Sequence, residues 1–271
     1  MTAVALVYTD SGFAIAADGR CTWSDESPEG ETMRKHDTDT QQKIFKASWT
    51  GADIAYLLTG MVANFNRSFD LVAETRQALG SVSDLPFGIG IEEFAARLND
   101  ACRNAKNDSR LPKYPVTPHF ADKIEQCTIG NVVLAGYFRA GKPALVRVRL
   151  HHDNQTLAEP QLSVYTPPEP RLFSGSDKIR ERLAGGSDAR FGRYFHPIDR
   201  QSSLEDAIAC ATGYVSACCD PFAVEVDPLC KYIGGRVHAA TITPSGFDWV
   251  PGFEPLSPTS PPQASDLAAS S

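Results

Sequence analysis

The sequence has no basic excess: 26 Lys and Arg stand against 33 Asp and Glu, a formal net charge of -7. Holding a phosphate backbone takes a cationic face, so DNA and RNA are excluded as partners. No apolar run approaches the roughly 18 residues that a bilayer-crossing helix needs, and no membrane partner is expected. The opening Met1-Thr2-Ala3-Val4 lacks a basic leader and soon meets Thr9-Asp10-Ser11-Gly12, so a secretory signal is not expected there. Cysteine is present without a pairing pattern: seven residues, an odd number, none in a C-x-x-C spacing. They read as reduced thiols of a cytoplasmic protein, not as a disulfide frame. Gly88-Ile89-Gly90 lacks the third glycine of a nucleotide loop, since Glu93 stands in its place. His151 and His152 are neighbours on a strand and point to opposite faces, so solvated rings are expected there, not a metal site. Neither cofactor nor metal is expected.

What is present is ordinary globular usage, 42 % hydrophobic over 271 residues, enough to bury a sizeable core. Ala3 to Tyr8 and Phe13 to Ala17 are apolar runs around a turn. After a polar stretch, Ser24 to Gln42, that reads as an exposed loop, Ile44 to Trp49 and Ile54 to Thr59 make a second hairpin. Two helices are expected over Met61 to Leu79 and Ile91 to Ala105 from their three- and four-residue apolar steps. Strands return at Val132 to Phe138, Ala144 to Leu150 and Gln161 to Tyr165. Ser174-Gly175-Ser176 opens a third helix that Gly185-Gly186 closes, and Ser203 caps a fourth. Gly234 to Ile242 and Phe247 to Val250 form a last hairpin. Strand runs separated by helix pairs imply an α+β fold, a four-layer αββα sandwich, as one domain over residues 1–250. Residues 251–271, rich in proline and serine, read as a disordered tail.

The chemistry concentrates near the N-terminus. Thr2 follows an initiator methionine that a small second residue lets an aminopeptidase remove, which would free the Thr2 amine. Asp18 and Arg20 end one strand in Ala17-Asp18-Gly19-Arg20, Lys43 opens another in Lys43-Ile44-Phe45, and Thr59-Gly60 precedes a helix. In these residues the chain resembles the proteasome β-type subunits, with the bacterial two-ring protease subunit (HslV-like) closest at Ala17-Asp18-Gly19. These are N-terminal nucleophile hydrolases of the αββα type. The resemblance matches Asp18, sixteen residues after Thr2, with an Arg two residues on, and it matches Lys43 as the opening of a Lys-aliphatic-aromatic strand. It further matches Gly60, Ser174-Gly175, Ser203-Leu204-Glu205-Asp206-Ala207 and Tyr232-Ile233-Gly234-Gly235, so it runs from Thr2 to Val250.

The resemblance implies a threonine hydrolase of peptide bonds with Thr2, Asp18, Lys43, Ser174 and Gly60 in the catalytic site and Arg20 as structural support. A Thr hydroxyl needs a base, and its own α-amine serves when free. Lys43 would lower that amine's pKa by charge repulsion, Asp18 would hold Lys43, and the Gly60 N–H would receive the oxyanion. Peptide or unfolded protein is the implied substrate and a homo-oligomeric ring the implied assembly, with an ATPase or regulatory partner left open. Three departures stand out. Ala3 replaces a second Thr, the Arg20–Lys43 loop is about ten residues longer than usual, and Ile233 sits where a Ser binds the amine. The supporting Asp is open between Asp220 and Asp227. A catalytically inactive scaffold or assembly subunit of the same fold is the alternative reading, and a small-amide hydrolase a third.

Overall fold

Strands that are apolar at every position, not every second one, must be covered on both faces. The chain opens with two of these. In the computed structural model, which describes residues 2–26, 32–60, 69–108, 126–139, 141–153, 156–157, 159–169, 171–186 and 188–256, β1 (Val4–Thr9) and β2 (Gly12–Ala17) are buried throughout. There follow β3 (Cys21–Glu26), β4 (Thr32–Thr38), β5 (Ile44–Trp49), β6 (Ala52–Gly60), α1 (Leu71–Val82) and α2 (Phe87–Asn107). Next come β7 (Gln126–Arg139), β8 (Lys142–Asp153), β9 (Thr156–Leu157), β10 (Gln161–Tyr165) and β11 (Arg171–Ser174). The chain closes with α3 (Asp177–Gly185), α4 (Leu204–Cys219), α5 (Ala223–Val226), β12 (His238–Thr243) and β13 (Gly246–Trp249).

The result is α+β with two antiparallel sheets. One has the order β11-β1-β2-β12-β13, the other β10-β8-β7-β6-β5, and β3 and β4 form a separate two-stranded ribbon. The β1 strand is therefore interior to its sheet, between β2 and the sequence-distant β11. Three apolar clusters divide the side chains by strand parity. Val4, Leu6, Ile15, Leu57, Val133 and Ile242 meet between the two sheets. The alternate residues of the first sheet, Ala5, Val7 and Ala16, pack with Ile179, Tyr214 and Val215 of α3 and α4. Those of the second sheet, Tyr56, Leu134 and Val146, pack with Leu79, Phe94 and Leu98 of α1 and α2.

Helix ends follow local chemistry. Asp70 accepts from Val72 and Ala73 N–H and starts α1, so the helix begins ten residues after the expected Met61; residues 61–68 lie outside those described. Ser176 caps α3, whose end Gly186 takes φ +57, a left-handed value that glycine adopts without strain. Ser203 and Asp206 complete a capping box on α4. The polar stretch expected as a loop holds the β3–β4 ribbon instead. Its backbone groups are satisfied by pairing within the ribbon, from Cys21 opposite Thr38 to Glu26 opposite Thr32. At the other end Pro251–Leu256, placed in the tail by composition, are among the described residues. Phe253 packs on the α3–α4 cluster and Arg236 bonds the Gly252 and Glu254 carbonyls. Residues 257–271 lie outside those described. Among the described residues no helix is long and apolar enough to cross a membrane.

Candidate active site

Strand direction gathers the predicted residues. β1, β5 and β12 begin at one end of the two sheets, and β2, β6 and β11 end there, as the pairings Val4–Ala17, Val4–Ser174, Ala17–His238 and Ile44–Leu57 fix. Thr2 leads into β1, Asp18 follows β2, Lys43 leads into β5, Gly60 ends β6 and Ser174 ends β11.

Asp18 is the hub. It has no solvent exposure, and a buried carboxylate persists only when its lone pairs are used. Its Oδ1 accepts from Ala3 N–H at 2.9 Å and Lys43 Nζ at 2.7 Å, and its Oδ2 from Arg20 N–H at 3.3 Å and Gly234 N–H at 3.2 Å. Lys43, 3 % exposed, donates a second bond to the Arg20 carbonyl at 2.8 Å. Two of its three protons are thus committed, and the third has no acceptor among the described residues.

Thr2 is 8 % exposed and shares the parity of Val4 and Leu6, which face the space between the sheets. Extending the β1–β11 register from Val4–Ser174 sets Gly175 beside Ala3 and Ser176 beside Thr2. The first of these is an intimate contact: a Cβ on Gly175, at φ +136, would lie 3.1 Å from Ala3 Cα and 3.2 Å from the Tyr214 hydroxyl. Ser174 ends the strand opposite Val4, with no side-chain hydrogen bond among the described residues. The serine with a polar partner is Ser176, whose buried Oγ donates to Asp227 Oδ2 at 2.7 Å and accepts from Ile179 N–H at 3.2 Å. Tyr214 O–H donates to the Ser176 carbonyl at 3.3 Å. Asp227 is therefore the aspartate beside the N-terminal strand. Asp220 lies elsewhere, accepting from Tyr194 O–H at 2.6 Å and Arg193 at 2.7 Å. The sequence marks Ser176 as part of the helix opening but carries no sign of its bond to Asp227.

Arg20 ties loops together. Its Nε bonds Asp39 at 2.8 Å and its Nη1 bonds the Lys231 and Ile233 carbonyls at 3.2 and 3.3 Å. Gly60, φ +91, sits at the Lys43 end of the second sheet, pressed so close to Gly130 that a Cβ would fall 2.8 Å from its Cα. It is not part of the Asp18 hydrogen-bond cluster. Ile233, 2 % exposed, closes its side with hydrocarbon.

Nearby thiols are not nucleophiles here. Burial pushes Cys218 up to about 12 and Cys230 up to about 11, and it raises Cys219 as well, beside the Asp18 charge, so all three stay protonated at neutral pH. His238 pairs with Ala17 and has no exposure. Burial first, then the charges of Arg236 and Lys43, hold its pKa down at about 4, and among the described residues neither ring nitrogen has a hydrogen-bond partner. His151, expected to be solvated, is 3 % exposed. Among the described residues no cluster of three metal-ligating side chains occurs.

No protein-family model matches the chain, and no curated protein matches it. Solved structures are similar in fold. The Gly-1 mutant of Anbu from Hyphomicrobium sp. strain MC1 matches with a TM-score of 0.55 at 12 % identity, covering 92 % of this chain and 85 % of its own. Anbu (ancestral beta-subunit) from Yersinia bercovieri matches with a TM-score of 0.50 at 12 % identity, covering 92 % of this chain and 86 % of its own. These findings overturn the family resemblance drawn from the motifs. The similar solved structures are Anbu proteins, and neither a family model nor a curated protein supports assignment to the proteasome β-type or HslV-like subunits. Three-residue motifs at strand ends are too short to separate one family from another. At 12 % identity the likeness is one of fold.

Proposed function

We propose that the chain is an amide-bond hydrolase that uses Thr2 as nucleophile, acting on peptides or unfolded protein as a subunit of a homo-oligomer. The observation that carries this reading is the buried Asp18–Lys43 pair. It is anchored on Ala3 N–H, one residue from Thr2, with an ammonium proton left unassigned. The reading requires a free α-amine on Thr2. That amine, held low in pKa by the Lys43 ammonium, takes the Oγ proton as Oγ attacks the carbonyl carbon. The Gly60 N–H supports the developing oxyanion. The C–N bond then breaks, the proton passes to the leaving amine, and water releases the acyl group from Oγ. Ser176, bound to Asp227, supplies the polar neighbour to the amine that Ile233 does not. Ser174 remains a strand-end support and Arg20 a brace.

The same reading takes the layers as a four-layer αββα sandwich, supported by the three separate apolar clusters, within one domain that the Pro/Ser-rich segment follows. A cytoplasmic location fits the free thiols of Cys102, Cys210, Cys218, Cys219 and Cys230. That one similar structure is of an ancestral beta-subunit supports an assembly role. Buried Ile233 favours a second reading, a catalytically inactive scaffold of the same fold.

The test is intact-mass analysis of the cellular protein together with hydrolysis of a fluorogenic peptide panel. A chain that begins at Thr2 and loses turnover in Thr2→Ala is the expected result. A blocked or retained residue before Thr2 removes the base and sinks the reading, and a wild type silent over the whole panel leaves the scaffold.

A further inference from the structure

The inner face of the second sheet is apolar through Leu57, Val133 and Leu145, all part of the cluster between the sheets. Toward the Lys43–Gly60 end the same face turns polar. Thr59 stands two residues beyond Leu57, Asn131 pairs with Thr59, and Arg147 pairs with Val133 and shares the parity of Leu145. These three form one oriented chain. Arg147 Nε and Nη2 donate to Asn131 Oδ1 at 3.3 and 3.2 Å, and Asn131 Nδ2 donates to Thr59 Oγ1 at 3.0 Å. Asn131 thus aims a half-buried guanidinium across the sheet toward the residue before Gly60. Among the described residues Arg147 pairs with no carboxylate, although half-buried cations ordinarily find one. Arg149, two residues on along the same face, adds a second cation. The acid at this end, Asp18, is already saturated by four donors. The guanidinium is therefore fixed and, among the described residues, without a carboxylate partner, on the inner face of the second sheet at the end where Lys43 leads into β5.

We propose that Thr59, Asn131 and Arg147 form a subsite for a carboxylate of the substrate, so that peptides bearing an acidic side chain or a free C-terminal carboxylate are the preferred class. This rests on the hydrolase reading for its position relative to the scissile bond. Facing sheets stand about 10 Å apart, and an extended peptide covers about 3.3 Å per residue, so a carboxylate within about three residues of the attacked carbonyl reaches the row. A guanidinium takes a carboxylate through two parallel N–H bonds, and among the described residues Arg147 Nη1 has no partner.

The test separates binding from turnover. Full-length Thr2→Ala protein is titrated by fluorescence anisotropy with three labelled hexapeptides of one sequence: an internal Glu with an amidated end, Gln with a free carboxylate, and Gln with an amidated end. The expected result is that one carboxylate peptide binds about tenfold to hundredfold more tightly than the Gln amide. Which of the two does so identifies the source of the carboxylate. Arg147→Gln should erase the preference. So should Asn131→Asp, which neutralises the guanidinium without truncating it and guards against a folding artefact of the first variant. Equal binding of all three peptides overturns the subsite, as does a preference that survives Arg147→Gln. A carboxylate preference in a protein whose wild type never cleaves upholds the subsite while sinking the hydrolase. Cleavage that ignores charge does the reverse.

Discussion

Lys43 shows how a residue's setting changes its meaning. Read from sequence, a cation at a strand tip is solvated and adds little to folding; in the fold it is 3 % exposed and bonded to a fully buried Asp18. Lys43→Ala should then cost stability by about 3–5 kcal/mol, because it leaves a buried carboxylate without its counter-charge. Turnover should also fall by about two to four orders of magnitude if the ammonium tunes the Thr2 amine. Urea unfolding beside peptide hydrolysis reads both, and an unchanged midpoint contradicts the burial argument. Lys43→Arg keeps the charge but not the compact three-donor head, so it should rescue stability better than activity. His238 gives a pH dependence. Its folded pKa of about 4 lies below the unfolded 6.5, so between these values the unfolded chain binds the extra proton. Stability is therefore lost as pH falls through that window, on the order of 2–4 kcal/mol. His238→Leu should flatten the difference between unfolding at pH 7 and pH 4.5. An equal loss in wild type and variant rules the ring out as the cause.

At the scale of elements, caps and glycines were legible and polar strands were not. Ser176, Gly186 and Ser203 mark helix ends through chemistry local in sequence, and the helices they bound lie where the pattern placed them. The β3–β4 ribbon was missed because hydrophobic periodicity reports burial between layers, and this ribbon pairs outside the two sheets. The start of α1 was misplaced because Val62, Phe65 and Phe69 kept a helical step while Asp70 carried the cap. In the site, Thr2, Asp18 and Lys43 were legible as motifs. Ser176–Asp227 was not, since the two lie 51 positions apart and meet only through the fold. The two caps make a paired experiment. Ser203→Ala should cost about 1 kcal/mol, the ordinary value of an exposed cap. Ser176→Ala should cost more, by about 1–3 kcal/mol further, since it also strips the buried Asp227 oxygen of its donor. Equal shifts in thermal melts would mean that the Asp227 bond contributes nothing.

For the whole molecule, the boundary at the C-terminus can be measured. Cutting after Leu256 should leave the melting temperature unchanged. Cutting after Val250 should lower it by several degrees, because it removes Phe253 from the α3–α4 cluster and the carbonyls that Arg236 holds. A melt indifferent to both cuts would return residues 251–256 to the tail. The sheet order was out of reach of pattern reading, since periodicity identifies strands and says nothing of which distant strand pairs with which. That order has a consequence for synthesis. β1 lies between β2 and β11, and Asp18 receives its last donor from Gly234. As the polypeptide leaves the ribosome, the β1–β2 hairpin emerges ahead of β11 and β12 and must wait, with bare edges, for partners more than a hundred and fifty codons downstream. The nascent chain is therefore exposed to mispairing until those strands emerge, and no product that stops before Gly234 can complete the Asp18 cluster.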